Sequence, residues 1–424
     1  MTKLPLLKDA DLNGKIALVR VDHNVVKKGG IKDPYRIDAS LPTLHFLREN
    51  GAKIILMSHV GRPRSKKTGE ITLAKESAID PIVDYLNQAG FKTVAMTVPD
   101  SDAFGITNLV PGKEIAELKA GKYDIVYLPN TRWFTGEEAK DDKKKVLGKE
   151  LADLADIFVN DAFGSWQPHA STIEPASHIP SYAGFLMDKE IKHLNDVLNP
   201  TRPFVAVVAG SKFDTKIAPL SALLAKADHL VLGGVIYNAY LAAKYSLKIK
   251  GISENDLEAA AGFVEFSKQY PGKIVELPYI IESDALDNKS ENSYRTHDIR
   301  QLTPGGSLNY VLDIDPRSFA EPQIAKIFQA AGTFFVNAVM GLTPLFGEGT
   351  MALDETINKN VTAKKLFGGG DTLQEMKTLL PQIYNAALKD DKYYFFTGGG
   401  TILKAISENS PYGLEPVQAL LNQK

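Results

Sequence analysis

Short β-branched runs alternate with amphipathic stretches from one end of the chain to the other. The segments Ile16–Val21, Lys53–Met57, Thr93–Val98, Asp124–Leu128, Ile157–Val159, Phe204–Val208, His229–Leu232, Lys273–Leu277, Tyr310–Asp313, Thr333–Val336 and Tyr393–Phe396 read as strands. Between them Ala39–Glu49, Ala74–Gln88, Lys144–Leu154, Ala218–Ala227, Tyr237–Ala243 and Ser318–Ala331 show helical spacing of apolar residues. Such alternation predicts an α/β protein with parallel sheets covered by helices on both faces. Eleven strands exceed one ordinary open sheet, so two similarly built lobes are expected. Met187, Ile191, Leu194 and Leu198 lie at helical spacing, and Asn199-Pro200-Thr201-Arg202-Pro203 then stops the helix. The boundary is therefore expected within 187–202, with lobes over 1–186 and 203–405. Pro99–Gly112 and Asp284–Thr303 read as inserted loops, the latter polar and mobile.

Bulk properties narrow the possibilities. The chain has 424 residues, 44% hydrophobic and 24% charged, which suits two or three domains, each with a full core, in an ordinary soluble protein. Its net charge of −2 gives no basic field for nucleic acid. The absence of cysteine excludes disulfides, thiol nucleophiles and zinc-thiolate sites. With no long apolar run and no signal-type start, no membrane association is expected and the default is a cytoplasmic protein.

Candidate chemistry gathers where strands end, the usual place for ligands in open α/β sheets. Arg20, Asp22 and Asn24 close the first strand, and Arg36 stands just before a helix. His59 and Arg62 close another strand, Arg132 a third and His169 a fourth. Together these residues suit a small, highly charged anion carrying phosphate and carboxylate. Singly, Arg20 with Asp22 reads as an internal salt bridge, His59 and His169 equally well as structural histidines, and Trp133 as core. In the second half, Gly210-Ser211-Lys212 turns into a predicted helix with Lys212 and Lys216 on one face, spaced to follow a polyphosphate or simply to be solvated. Gly233-Gly234 follows the next strand, where a flat ring could lie against backbone. Two triple-glycine runs, Gly368-Gly369-Gly370 and Gly398-Gly399-Gly400, each sit between a strand-like and a helix-like stretch. Glycine corners at helix starts suit phosphate, and Asp371 beside the first calls for a bridging cation such as Mg²⁺. Each run could equally be a tight turn. Neither a P-loop nor a dinucleotide fingerprint is present.

In this order, Val19-Arg20-Val21-Asp22-His23-Asn24, Ser58-His59-Val60-Gly61-Arg62-Pro63, Val159-Asn160-Asp161-Ala162-Phe163-Gly164, Arg202-Pro203-Phe204-Val205-Ala206, Phe367–Thr372 and Thr397–Gly400 resemble phosphoglycerate kinases over essentially the whole chain. The resemblance implies two Rossmann-like lobes joined by a helical hinge, with 406–424 returning to the first lobe. It implies a monomer that binds 3-phosphoglycerate or 1,3-bisphosphoglycerate on the first lobe and ATP or ADP with Mg²⁺ on the second. By that resemblance Asp22, Asn24, Arg36, His59, Arg62, Arg132 and His169 belong to the phosphoglycerate site. Gly210, Lys212, Lys216, Gly233, Gly234, Asn337, Gly370, Asp371 and Thr372 belong to the nucleotide site, with Asp371 meeting the metal through the Mg-nucleotide. Arg36, Lys216, Gly369, Gly370 and Gly399 are the expected catalytic set, Gly399 with the transferring phosphoryl group or the closure of the lobes.

Four departures stand out. The family's H-R-A-H stretch becomes Trp166-Gln167-Pro168-His169, without its arginine. Its W-N-G-P-M-G-V-F-E becomes Val336-Asn337-Ala338-Val339-Met340-Gly341-Leu342-Thr343-Pro344, with Pro344 in place of the ribose-binding glutamate and Glu348 nearby. Its L-D-x-G-P becomes Leu312-Asp313-Ile314-Asp315-Pro316, and its G-G-A-K turn becomes Ala209-Gly210-Ser211-Lys212. Three readings follow: a divergent phosphoglycerate kinase, a nucleotide-binding or regulatory relative without catalysis, and a kinase of another small phosphorylated acid.

Overall fold

A computed structural model describes residues Lys3–Gln423 and divides into two compact units. One runs to Lys192 and takes back the chain from Tyr412; the other is His193–Pro411. The dividing point falls inside one helix, Phe185–Leu198.

The first unit is built on a six-stranded sheet in the order Ser181–Ala183, Ile157–Asn160, Ile16–Arg20, Lys53–Met57, Ile125–Tyr127, Thr93–Ala95. Every pairing in it is parallel. Ile54, Ile55, Leu56 and Met57 are fully buried, as expected of a strand covered on both faces. The terminal helix Glu415–Leu421 belongs to this unit, and Gln423 exchanges hydrogen bonds with the backbone of Ser181 at 2.7 and 2.9 Å.

The second unit holds another parallel six-stranded sheet, ordered Ile274–Val275, His229–Gly233, Phe204–Gly210, Thr333–Asn337, Lys364–Gly368, Tyr393–Phe396. Numbered within the unit this is 3-2-1-4-5-6, the doubly wound order. The strand order, not the strand direction, reverses between the parallel neighbours Phe204–Gly210 and Thr333–Asn337, and the crevice there is where ligands collect in such sheets.

Several predicted elements differ in the structure. The first long helix starts at Tyr35, one turn before the expected Ala39, so Arg36 lies inside its first turn. Ser318–Ala331 is two helices, Arg317–Ala320 and Pro322–Ala330, because Pro322 cannot donate within a continuous helix. Tyr310–Ile314 joins no parallel sheet. It pairs antiparallel with Tyr279–Ser283, which also pairs antiparallel with Tyr294–Asp298. The polar segment expected as a loop over Asp284–Thr303 thus contains a strand, held by charged cross-strand pairs such as Arg295 with Glu282, 2.7 Å apart.

Candidate active site

In the first unit the expected basic residues converge at the carboxyl ends of adjacent strands. Asp22 follows Ile16–Arg20, and its carboxylate meets Arg36 Nη1 at 3.2 Å. Burial alone would push the Asp22 carboxyl up; the guanidinium charges of Arg36 and Arg20 oppose it, and the group is held below the usual carboxylate range. The direct partner of Asp22 is thus Arg36. Arg20, fully buried, turns the other way: its Nε donates to Ser171 Oγ at 2.8 Å and its Nη2 to His59 Nδ1 at 3.2 Å. An arginine only donates, so His59 Nδ1 accepts and the ring proton sits on Nε2. Burial keeps His59 far below the ordinary histidine range, so it offers a neutral N–H donor. Asn24 Oδ1 accepts from the Gly61 amide at 2.9 Å, and Arg132 Nη1 donates to Gly61 O at 2.6 Å. One loop turn is thereby fixed from both sides, with Arg62 exposed beside it.

Two carboxylates absent from the sequence-based set complete this patch. Glu137, almost wholly buried, accepts from the Ser171 amide at 2.9 Å and from Ser171 Oγ at 2.7 Å, tying the His169 segment to Arg20. Glu138 lies 2.9 Å from Arg132 Nε, 3.8 Å from Arg64 Nε and 3.9 Å from His169 Nε2. Nothing in the local sequence distinguishes them from solvated acids following Gly136. His23, inside the same motif, is structural: its Nε2 donates to Ser40 Oγ, which itself donates to Ile37 O, and its Nδ1 accepts from Tyr127. Trp133 is core, with Nε1 donating to Ser77 Oγ at 3.1 Å.

In the second unit helix starts crowd the carboxyl edge of the sheet at its reversal point. Lys216 closes a short 3₁₀ turn, Asp214–Lys216, directly before the helix Ile217–Lys226. Lys212 precedes both and is exposed, so the two lysines do not share one helix face as expected. Lys216 Nζ donates to Ala209 O at 2.7 Å and to Asn337 Oδ1 at 3.3 Å, linking the two strands that flank the crevice. Burial lowers the Lys216 pKa from its ordinary value, and the charge of Asp371 opposes this. Asn337 in turn donates to Gly368 O at 2.5 Å.

The two triple-glycine runs pack against each other. A Cβ on Gly399 would stand 2.6 Å from Gly369 Cα and 2.9 Å from Asn337 Nδ2, so backbone meets backbone there. Gly369 has φ +113, a conformation L side chains rarely adopt. Gly370 opens the helix Gly370–Leu379, and a Cβ there would meet nothing within 4 Å; Asp371 is exposed and Thr372 buried. Gly399 opens the neighbouring helix Gly399–Glu408. Gly234 opens a third, at φ +60, its Cβ position 3.0 Å from Gly210 O, whereas the side-chain space beside Gly233 is taken by Met340. At the altered positions, Asp315 accepts from Arg317 Nε at 3.0 Å and from Thr296 Oγ1 at 2.9 Å, and Glu348 is ion-paired with Lys289. No group of three or more metal-ligating side chains occurs among the described residues. Among them, too, no helix is long and apolar enough to cross a membrane.

Comparison with known proteins agrees with this architecture. The family model described as phosphoglycerate kinase matches residues 7–409. A phosphoglycerate kinase of Borrelia garinii is 34% identical over 400 residues, 92% of this chain and 93% of the relative. One from Roseiflexus is 34% identical over 410 residues, 94% of this chain and 95% of the relative. The solved phosphoglycerate kinase of Coxiella burnetii superposes with a TM-score of 0.74 at 28% identity, covering 99% and 98% of the two chains. That of Pyrococcus horikoshii gives 0.76 at 22% identity, covering 98% of each, and shares the fold. With the family's model matched across nearly all of its length and its two-sheet fold in place, this chain belongs to the phosphoglycerate kinase family.

Proposed function

We propose that this protein transfers a phosphoryl group reversibly between 1,3-bisphosphoglycerate and ADP, yielding 3-phosphoglycerate and ATP. The observation that carries the reading is Lys216, a half-buried ammonium held by Ala209 O and Asn337 Oδ1 among glycine-opened helix starts. The basic patch of the first unit suits the phosphate and carboxylate of the glycerate; Arg36, Arg62, Arg132 and His59 Nε2 are its donors. Asp22 and Asn24 hold those donors in place, and His169 borders the patch.

Both possible acceptors, a carboxylate and an ADP phosphate, are already ionised, so the reaction needs no general base. Catalysis then rests on alignment and on donors aimed at the phosphoryl oxygens. In the second unit Lys216 and the amides beginning at Gly370 and Gly399 supply them, and Thr372 adds a hydroxyl; Arg36 is the corresponding donor within the first unit. In the synthetic direction the acyl phosphate bond breaks, the carboxylate leaves with its electron pair, and an ADP oxygen takes the phosphoryl group. Mg²⁺ fits only as a nucleotide-borne ion: Asp371 is a single exposed carboxylate, so phosphate oxygens and water would provide the remaining ligands. Bound there, the ion would neutralise phosphate charge. The Asp315 carboxylate is ion-paired with Arg317 and accepts from Thr296 Oγ1, so the altered position does not present an unpaired negative charge. We place the enzyme in the cytoplasm as a monomer.

A coupled assay with purified protein, 3-phosphoglycerate, Mg²⁺ and either ATP or GTP tests the reading. Turnover is expected with at least one; a folded sample inert with both overturns it.

A further inference from the structure

The helix Glu254–Ser267 begins in an unusual way. Its cap residue Ser253 accepts from the Asp256 amide at 3.1 Å and donates to Asp256 Oδ2 at 2.6 Å. In a capping box, the acidic residue at this position turns back to the amide of its own cap. Here Oδ1 reaches out of the helix, accepting from Phe213 N at 2.6 Å and Asp214 N at 3.2 Å. Those amides belong to the turn between Lys212 and Lys216. Phe213, fully buried, also packs edge-on to Phe263 of the same helix, with ring centroids 5.6 Å apart. One helix thus grips the lysine-bearing turn by a polar and an apolar contact. Asp256 itself is buried, and Lys212 is near enough to stabilise its charge.

We propose that Asp256 is a positioning residue for nucleotide phosphates, holding the 211–216 turn so that Lys212 and Lys216 meet the polyphosphate already ordered. The proposal rests on the phosphoryl-transfer reading above. Two bonds to one buried carboxylate remove chain freedom that nucleotide binding would otherwise have to remove. Asparagine keeps every contact, since its Oδ1 can take both amides and its Nδ2 can donate to Ser253 Oγ. Alanine keeps none.

The test compares D256A and D256N with the wild-type protein by kinetics and calorimetry with Mg-ADP. D256A is expected to weaken Mg-nucleotide binding about tenfold, with the KM for 3-phosphoglycerate unchanged, while D256N stays within about twofold of wild type. Unchanged nucleotide affinity in folded D256A overturns the proposal. So does an equal loss for both substrates, or D256N behaving like D256A. Hydrogen exchange at the Phe213 and Asp214 amides reads the turn without any activity. It should accelerate in D256A and stay slow in D256N; no acceleration overturns the proposal even if wild-type protein proves inactive, which would refute only the phosphoryl-transfer reading.

Discussion

Replacing Lys216 by methionine removes the ammonium while keeping most of the stem. In the native site Nζ donates to Ala209 O at 2.7 Å and Asn337 Oδ1 at 3.3 Å, leaving one of its three N–H groups for a phosphoryl oxygen. A preorganised donor aimed at charge that develops in the transition state is worth about 2.7–4 kcal/mol, or about 10²–10³ in kcat. K216M should lose activity on that scale while its KM for 3-phosphoglycerate, whose proposed site lies on the other unit, stays unchanged. The fold should not suffer, because burial already opposes the charge and lowers the lysine below its ordinary range. The protonated form is the active one, so activity is full below the folded-state pKa and falls as pH rises through it. That alkaline limb should come earlier than for an ordinary lysine and vanish in K216M. The coupled assay across pH, with a thermal melt as the folding control, measures both effects. A fall in kcat of less than tenfold in a folded variant would refute the assignment.

Other outcomes follow from single contacts. D22A frees Arg36 and should raise the KM for 3-phosphoglycerate roughly tenfold without moving that for Mg-ATP; equal changes in both would contradict the separate half-sites. G399A places a methyl 2.6 Å from Gly369 Cα, where no flexible side chain can yield, so urea unfolding should show a loss of about 1–3 kcal/mol; an unchanged midpoint would disprove the packing argument. Burial pushes the Asp354 carboxyl up to about 8, so the folded state keeps a proton that the unfolded state has lost. Its stabilising proton is fully present below the unfolded pKa and its contribution declines as pH rises toward 8, by about 1.4 kcal/mol per pH unit. D354N should flatten the fall in stability between pH 7 and 8, and a slope matching wild type would rule this account out.

Apolar periodicity alone announced the alternating strands and helices, because strands buried on both faces must read as continuous apolar runs such as Lys53–Met57. Glycine runs at strand ends likewise pointed to helix starts, since few other residues tolerate backbone placed as at Gly369. The polar strand Tyr294–Asp298 escaped that reading because its pairing depends on ions and cross-strand neighbours distant in sequence. Partners also lay beyond reach. Only folding brings Asp22 to Arg36, Arg20 to Ser171, Glu138 to Arg132 and Asp256 to the Phe213 amide. A charge's partner is chosen by distance in space, and Asp256 stands 43 positions from Phe213. The architecture of two parallel sheets, and the polar and glycine residues gathered at the strand ends, were thus already written in the chain. Which of those residues hold one another was settled only on folding, because hydrogen bonds are short and directional while the chain between their partners is long.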